Sequence, residues 1–171
     1  YIQFVKYDGN NLSEDILFEK KFSGDFITML RSLESFIESQ IKERPVPDGV
    51  LREKQIRNYP AWAIRELLMN AIMHRDYQSN APIRFYWFDN HIEIQNPGGL
   101  FGTARPENFP QQNDYRNPVI AEVLKTLGYV NRFSRGIFRA KKLLGDNGNG
   151  EPEFVINQPT YFNVKIKENA I

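Results

Sequence analysis

Between residues 60 and 74 the chain is apolar on nearly every side of a helix, and this constrains the fold more than any other stretch. At about 100° per residue, Ile64, Leu67, Leu68, Ala71 and Ile72 fill one broad sector, while Trp62, Met69 and Met73 cover much of the opposite side. A helix with so little solvated surface belongs inside the molecule, so elements before and after it must supply its cover. Pro60 suits the first turn and predicts a helix running to about Met73. Between the apolar sectors runs a narrow stripe of Glu66, Asn70 and His74, at successive i, i+4 steps. Polar groups carried into a buried element need partners. Either backbone and the neighbouring Arg65 and Arg75 supply them, or a ligand does.

The flanking sequence supplies the cover. Residues 1–7 alternate as a strand, Asp8-Gly9-Asn10-Asn11 reads as a turn, and residues 16–22 form a second extended piece. The chain opens at Tyr1 inside a strand-like stretch rather than at Met, which predicts further protein upstream. Phe26, Ile27, Leu30, Leu33, Ile37 and Ile41 recur at helical spacing over residues 25–44, with Ser23 as the expected N-cap. Residues 45–49 are expected to end that helix, and residues 50–57 to form a polar edge strand. Residues 83–88 and 92–95 make a hairpin around Asp89-Asn90-His91. Residues 97–116 carry glycine and proline without periodicity, a long loop of the kind kept for function. Residues 118–127 and 134–144 read as helices stopped by Gly128 and Gly145, and strands at 153–156 and 162–166 close the chain.

These elements predict an α/β fold of the α+β two-layer sandwich kind. A mixed, mostly antiparallel sheet including 83–88, 92–95, 153–156 and 162–166 is covered on one face by helices near 61–73, 118–127 and 135–144, with the helix at 25–43 beside them.

Composition removes several functions. Lys plus Arg number 22 against 21 Asp plus Glu, so the net charge of +1 gives no general attraction for nucleic acid or anionic membrane. With no cysteine there is neither a disulfide framework nor a thiolate nucleophile, and with only His74 and His91 as nitrogen ligands a structural zinc site is excluded. No apolar run approaches the roughly 20 residues of a membrane span, and no signal-peptide pattern opens the chain. A soluble, cytoplasmic protein is expected.

Taken singly, Glu-x-x-x-Asn on a helix is a common spacing and Pro-Gly-Gly after a strand is an ordinary turn. Their order is rarer. The helix with Glu66 and Asn70 precedes a hairpin, then Asn96-Pro97-Gly98-Gly99-Leu100, a lid-length loop, and Ser134-Arg135-Gly136 opening a helix. This set resembles the ATP-binding domain of gyrase, MutL, the large heat-shock chaperones and histidine kinases, the GHKL or Bergerat fold. More closely, Arg65-Glu66-Leu67-Leu68-Met69-Asn70-Ala71, His74-Arg75-Asp76-Tyr77, Asn96 to Leu100 and Arg116-Asn117-Pro118 resemble the RecG-helicase-related C-terminal ATPase branch, over residues 58–167. Residues 1–24 resemble the end of the Schlafen-type AlbA-like domain that usually precedes this module in transcriptional regulators. The expected organisation is therefore an AlbA-like tail at 1–24, a connecting helix and edge segment at 25–57, and an ATP-binding domain at 58–171.

The resemblance implies that Glu66 orients or deprotonates the attacking water and that the Asn70 side-chain oxygen holds Mg²⁺ bridging the phosphates of ATP. It implies that Asn96 stands where the superfamily usually has an Asp contacting the adenine amino group, with Gly98 and Gly99 letting the ring approach. Gly136 would present backbone N–H groups to phosphate, while Ser134 and Arg135 occupy a segment that tends to be glycine-rich. His74 and Arg116 would border the nucleotide, His74 as a helix-end histidine rather than a catalyst.

His74-Arg75-Asp76 is not a kinase catalytic loop, because Ala81 stands where the required Asn would be. Neither Gly-x-Gly-x-x-Gly nor a Walker Gly-x-x-x-x-Gly-Lys-Ser/Thr occurs, so no helicase motor is encoded. The leading expectation is Mg²⁺-ATP binding with slow hydrolysis or none, in a regulator whose upstream domain touches DNA and which is open to homo-oligomerisation. Two alternatives stand beside it. One is a nucleotide-free interaction or dimerisation module; the other is DNA contact through the basic residues Arg132, Arg135, Arg139, Lys141 and Lys142, whose bland reading is a solvated helix face.

Overall fold

The computed structural model describes residues 1–111, 114–130 and 135–169. Its first strand, β1 (Ile2–Tyr7), buries Ile2 and Phe4 on one face. A turn leads into β2 (Ile16–Phe22), which pairs antiparallel with β1 from Ile2↔Phe22 to Tyr7↔Ile16. Helix α1 (Phe26–Gln40) follows, turning Met29, Leu30, Leu33 and Ile37 inward. Its N-cap is Asp25, not the expected Ser23: the Asp25 carboxylate accepts the Thr28 N–H at 2.9 Å. The helix also stops at Gln40, short of Arg44. The backbone is already extended at Ile41, and Pro45 and Pro47, which favour extended backbone just before them, are here part of a strand rather than a break. Glu43–Pro47 (β3) and Glu53–Arg57 (β4) make a separate antiparallel ribbon.

Helix α2 (Ala61–His74) starts directly after Pro60, which serves as N-cap rather than as part of the first turn. Ala63, Ile64, Leu67, Leu68, Met69, Ala71 and Ile72 are buried, so the first apolar sector is covered throughout, whereas of the second only Met69 is buried, Met73 being half-buried and Trp62 exposed under the Arg65 guanidinium. Strand β5 (Ile83–Trp87) turns back into β6 (His91–Pro97), pairing Phe85↔Ile94. Helix α3 (Pro118–Thr126) ends at Gly128, whose φ of +81° is left-handed. Helix α4 (Gly136–Asp146) runs through Gly145 instead of stopping there, and the chain reverses at Gly148, also at φ +81°. Short β7 (Glu153–Val155) and β8 (Tyr161–Lys167) complete the sheet, β8 lying between β6 and β7.

The six strands are ordered β2-β1-β5-β6-β8-β7, antiparallel except for β1 and β5, which run parallel from Ile2↔Ile83 to Lys6↔Trp87. Residues 1–24 thus share one sheet with residues 83–167, and β1 is an interior strand. Phe4, Phe85, Ile92, Ile94 and Val164 face Leu33, Ile64, Leu68, Leu124 and Ala140 across the core. The architecture is the α+β sandwich expected, and α2 lies at its centre.

Candidate functional site

The polar stripe of α2 meets the start of α4. Glu66 is only 7% exposed. Its Oε1 accepts from Arg65 Nη1 at 3.2 Å and from Arg139 Nη1 at 3.0 Å. A Cβ on Gly136 would stand 2.8 Å from Glu66 Oε2, so the absent side chain at the first residue of α4 is what lets the two helices close on this carboxylate. Burial pulls the Arg65 pKa down while the neighbouring Glu66 charge opposes it; the Arg65 guanidinium also lies over the Trp62 ring and reaches the Tyr129 carbonyl. One turn along, Asn70 makes no side-chain hydrogen bond among the described residues. A further turn on, His74 stacks on Tyr115 at 5.8 Å, and its Nε2 is shut from solvent without a partner. Burial first, and the Arg116 charge second, hold its pKa down at about 4, so the ring is neutral near pH 7.

The facing wall is the end of β6. Asn96 is 2% exposed and its Oδ1 has no hydrogen-bond partner. Gly98 takes φ +95°, and a Cβ there would press on Asp76 and Arg116. At Gly99 the demand for glycine comes from backbone: a Cβ would be 2.3 Å from the Gln158 carbonyl oxygen. Arg116 donates from Nη2 to the Gly99 carbonyl at 3.3 Å and covers the Phe101 ring at 4.7 Å.

Glu66, Asn70, His74, Asn96, Gly98, Gly99, Arg135 and Gly136 border one cleft of about 60 Å³, roofed by Leu100, Phe101, Phe109 and Pro110 from the long loop. Arg116 supports the cleft from behind through Gly99 and Phe101. Ser134, and with it Arg132, lies outside the described residues. Among the described residues no group of three or more His, Asp or Glu is arranged to hold a metal. The cleft does offer Asn70 and Glu66 oxygens, which suits Mg²⁺, an ion commonly held by one or two protein oxygens plus phosphate.

Several residues were not legible as site components. Arg139, expected on a basic helix face, pairs with buried Glu66, while Lys142 pairs with Asp146 on the surface at 2.8 Å and Lys141 lies over Phe154. Arg135 and Lys142 remain exposed on this part of the chain. Asn117 donates from Nδ2 to the Met73 carbonyl at 2.9 Å and the Arg75 carbonyl at 2.6 Å, tying off the end of α2.

The family described as "Putative ATP-dependent DNA helicase recG C-terminal" matches residues 80–166. The chain belongs to this family. The matched region of the RecG C-terminal family holds the Asn96 wall, the loop and α4, while Glu66, Asn70 and His74 on α2 precede it. No curated protein matches the chain. Among solved structures, the crystal structure of the DIP2311 protein from Corynebacterium diphtheriae is similar over 98% of this chain, with a TM-score of 0.86 at 22% identity. The chain spans 35% of the length of that protein. At this identity the likeness concerns the fold, including the placing of β1 and β2. No helix among the described residues is long and apolar enough to cross a membrane.

Proposed function

We propose that this chain is a Mg²⁺-ATP-binding module, slow in hydrolysis or inactive, that works as a switch within a cytoplasmic transcriptional regulator. The observation that carries the reading is the Asn96 Oδ1, buried without a partner on a residue that borders the cleft. An unsatisfied buried polar atom costs about 1–3 kcal/mol, and a ligand amino group would recover it. In this reading Asn96 reads the base beside Gly98 and Gly99, with His74 and Arg116 behind it. Asn70 holds Mg²⁺, whose charge would offset that of the phosphates. Arg135 and the free N–H groups at the start of α4 take the phosphate end.

Slow turnover follows from Glu66. An oxygen already accepting from two guanidinium groups is a poor acceptor for a water proton. The loop at 100–115 is the lid, because about 60 Å³ holds a few waters and no nucleotide; binding requires its roof to lift and reclose. We further read residues 1–24 as the tail of an AlbA-like domain docked by strand pairing, 25–57 as a connector, and 58–171 as the nucleotide module. DNA contact is then left to the upstream domain, since Arg139 is committed to Glu66 within the fold and the exposed Lys142 is paired with Asp146.

The narrow cleft is also what favours a second reading, a nucleotide-free interaction or dimerisation module. Calorimetric titration with ATP and Mg²⁺ separates them. Micromolar binding that is lost in Asn70→Ala and kept in Glu66→Ala is the expected result. A folded protein that ignores millimolar ATP would move the assignment to the interaction module.

A further inference from the structure

We propose that the base subsite at Asn96 accepts 6-amino and 6-oxo purines alike, so that the module binds GTP and ITP about as tightly as ATP. The inference rests on the nucleotide reading above and adds the class of base to it. Asn96 is 2% exposed, borders the cleft, and makes no side-chain hydrogen bond among the described residues. An amide carries an acceptor oxygen and a donor nitrogen of nearly equal size. Because no bond holds either end, half a turn about the last side-chain torsion breaks nothing. With the oxygen forward it accepts from a 6-amino group; with the nitrogen forward it donates to a 6-oxo group. A carboxylate in the same place could only accept, and would repel the oxo oxygen.

The second polar group in the cleft wall is equally two-sided. His74 Nε2 is also buried without a partner, and a neutral imidazole can carry its proton on either nitrogen. Behind Gly98 the surroundings carry one charge of each sign, Asp76 and Arg116, both beside the glycine. Among the described residues bordering the cleft the charged ones are Glu66 and Arg135, and both sit at the α4 end, Glu66 against Gly136 and Arg135 as the N-cap. His74 lies two helical turns from Glu66, roughly 12 Å along the axis. A base held between Asn96 and His74 therefore meets two side chains that can donate or accept as required, while the nearby Arg116 guanidinium is turned to the Gly99 carbonyl.

The test is calorimetry of the protein with the Mg²⁺ complexes of ATP, GTP and ITP, repeated on Asn96→Asp after a thermal melt shows that it folds. The expected result is three dissociation constants within about fivefold of one another. In Asn96→Asp, ATP is retained while GTP and ITP weaken by about 30-fold or more, because the fixed acceptor leaves the oxo group unpaired. Wild-type protein that binds ATP but takes GTP and ITP at least about 30-fold more weakly overturns the inference and leaves the nucleotide reading standing. An equal loss of all three in a folded Asn96→Asp also overturns it. Failure of all three to bind the wild type removes the nucleotide reading itself. If Asn96→Asp does not fold, the wild-type ratios decide alone.

Discussion

A methyl group on Gly99 would stand 2.3 Å from the Gln158 carbonyl oxygen and 3.1 Å from that of Pro159, and neither backbone atom can swing aside as a side-chain tip could. Gly99→Ala is therefore expected to lower the unfolding free energy by about 1–3 kcal/mol, read as a shift in the urea midpoint at unchanged slope; an unshifted midpoint would mean that the 158–159 segment gives way freely. His74 supplies a prediction of another kind. Its pKa is pushed from 6.5 to about 4 in the fold, so between those values the unfolded chain binds a proton that the folded chain refuses. Stability from this group is intact above about pH 6.5 and falls as the pH drops towards 4, by about 2 kcal/mol at pH 5. His91, held down at about 4 by burial and then by Lys165, acts in the same direction. Comparing urea midpoints at about pH 7 and pH 5, His74→Gln should lose about half of the wild-type fall; an identical fall in both proteins would show that His74 titrates normally.

Asn117 does for α2 what no residue within α2 does, closing its C-terminal end with two hydrogen bonds to the Met73 and Arg75 carbonyls. Asn117→Ala leaves those carbonyls without their donor and should cost about 1–2 kcal/mol, measured by denaturation. A smaller loss would mean that solvent replaces the amide. This tie also shows what could be read in advance and what could not. The α2 stripe was legible because i, i+4 spacing is a local property, and Gly128 marked the end of α3 for the same reason. Ser23 and Asp25 are both competent caps, so choosing between them required the backbone, which turns helical only after residue 25. Pro45 and Pro47 looked like stops; a two-stranded ribbon leaves every strand an open side, where proline is tolerated. The partners of Glu66 were the least legible. Arg139 reaches it only because Gly136 lets α4 approach α2, and no periodicity in either helix records that contact.

At the scale of the whole molecule the decisive pairing joins the first strand to one in the middle of the chain. Ile2 pairs with Ile83 in parallel register, and a parallel ladder needs a long crossover that carries no turn signature. For that reason the strands at 1–7 and 16–22 could be read in the sequence while their place in the sheet could not. Their removal gives the sharpest test of where the folding unit begins. A fragment starting at Asp25 loses the buried side chains of Ile2, Phe4 and Phe22, worth about 1.5–3 kcal/mol each, against a global stability of about 5–15 kcal/mol. It also uncovers the edge of β5, a row of unpaired backbone groups between Ile83 and Trp87 that invites pairing with another chain. The expected outcome is a fragment that melts without cooperativity in circular dichroism and elutes as aggregate in size exclusion. A cooperative melt close to that of the whole chain would instead make residues 1–24 an appended tail, with the boundary at 24 then a boundary of folding as well as of resemblance.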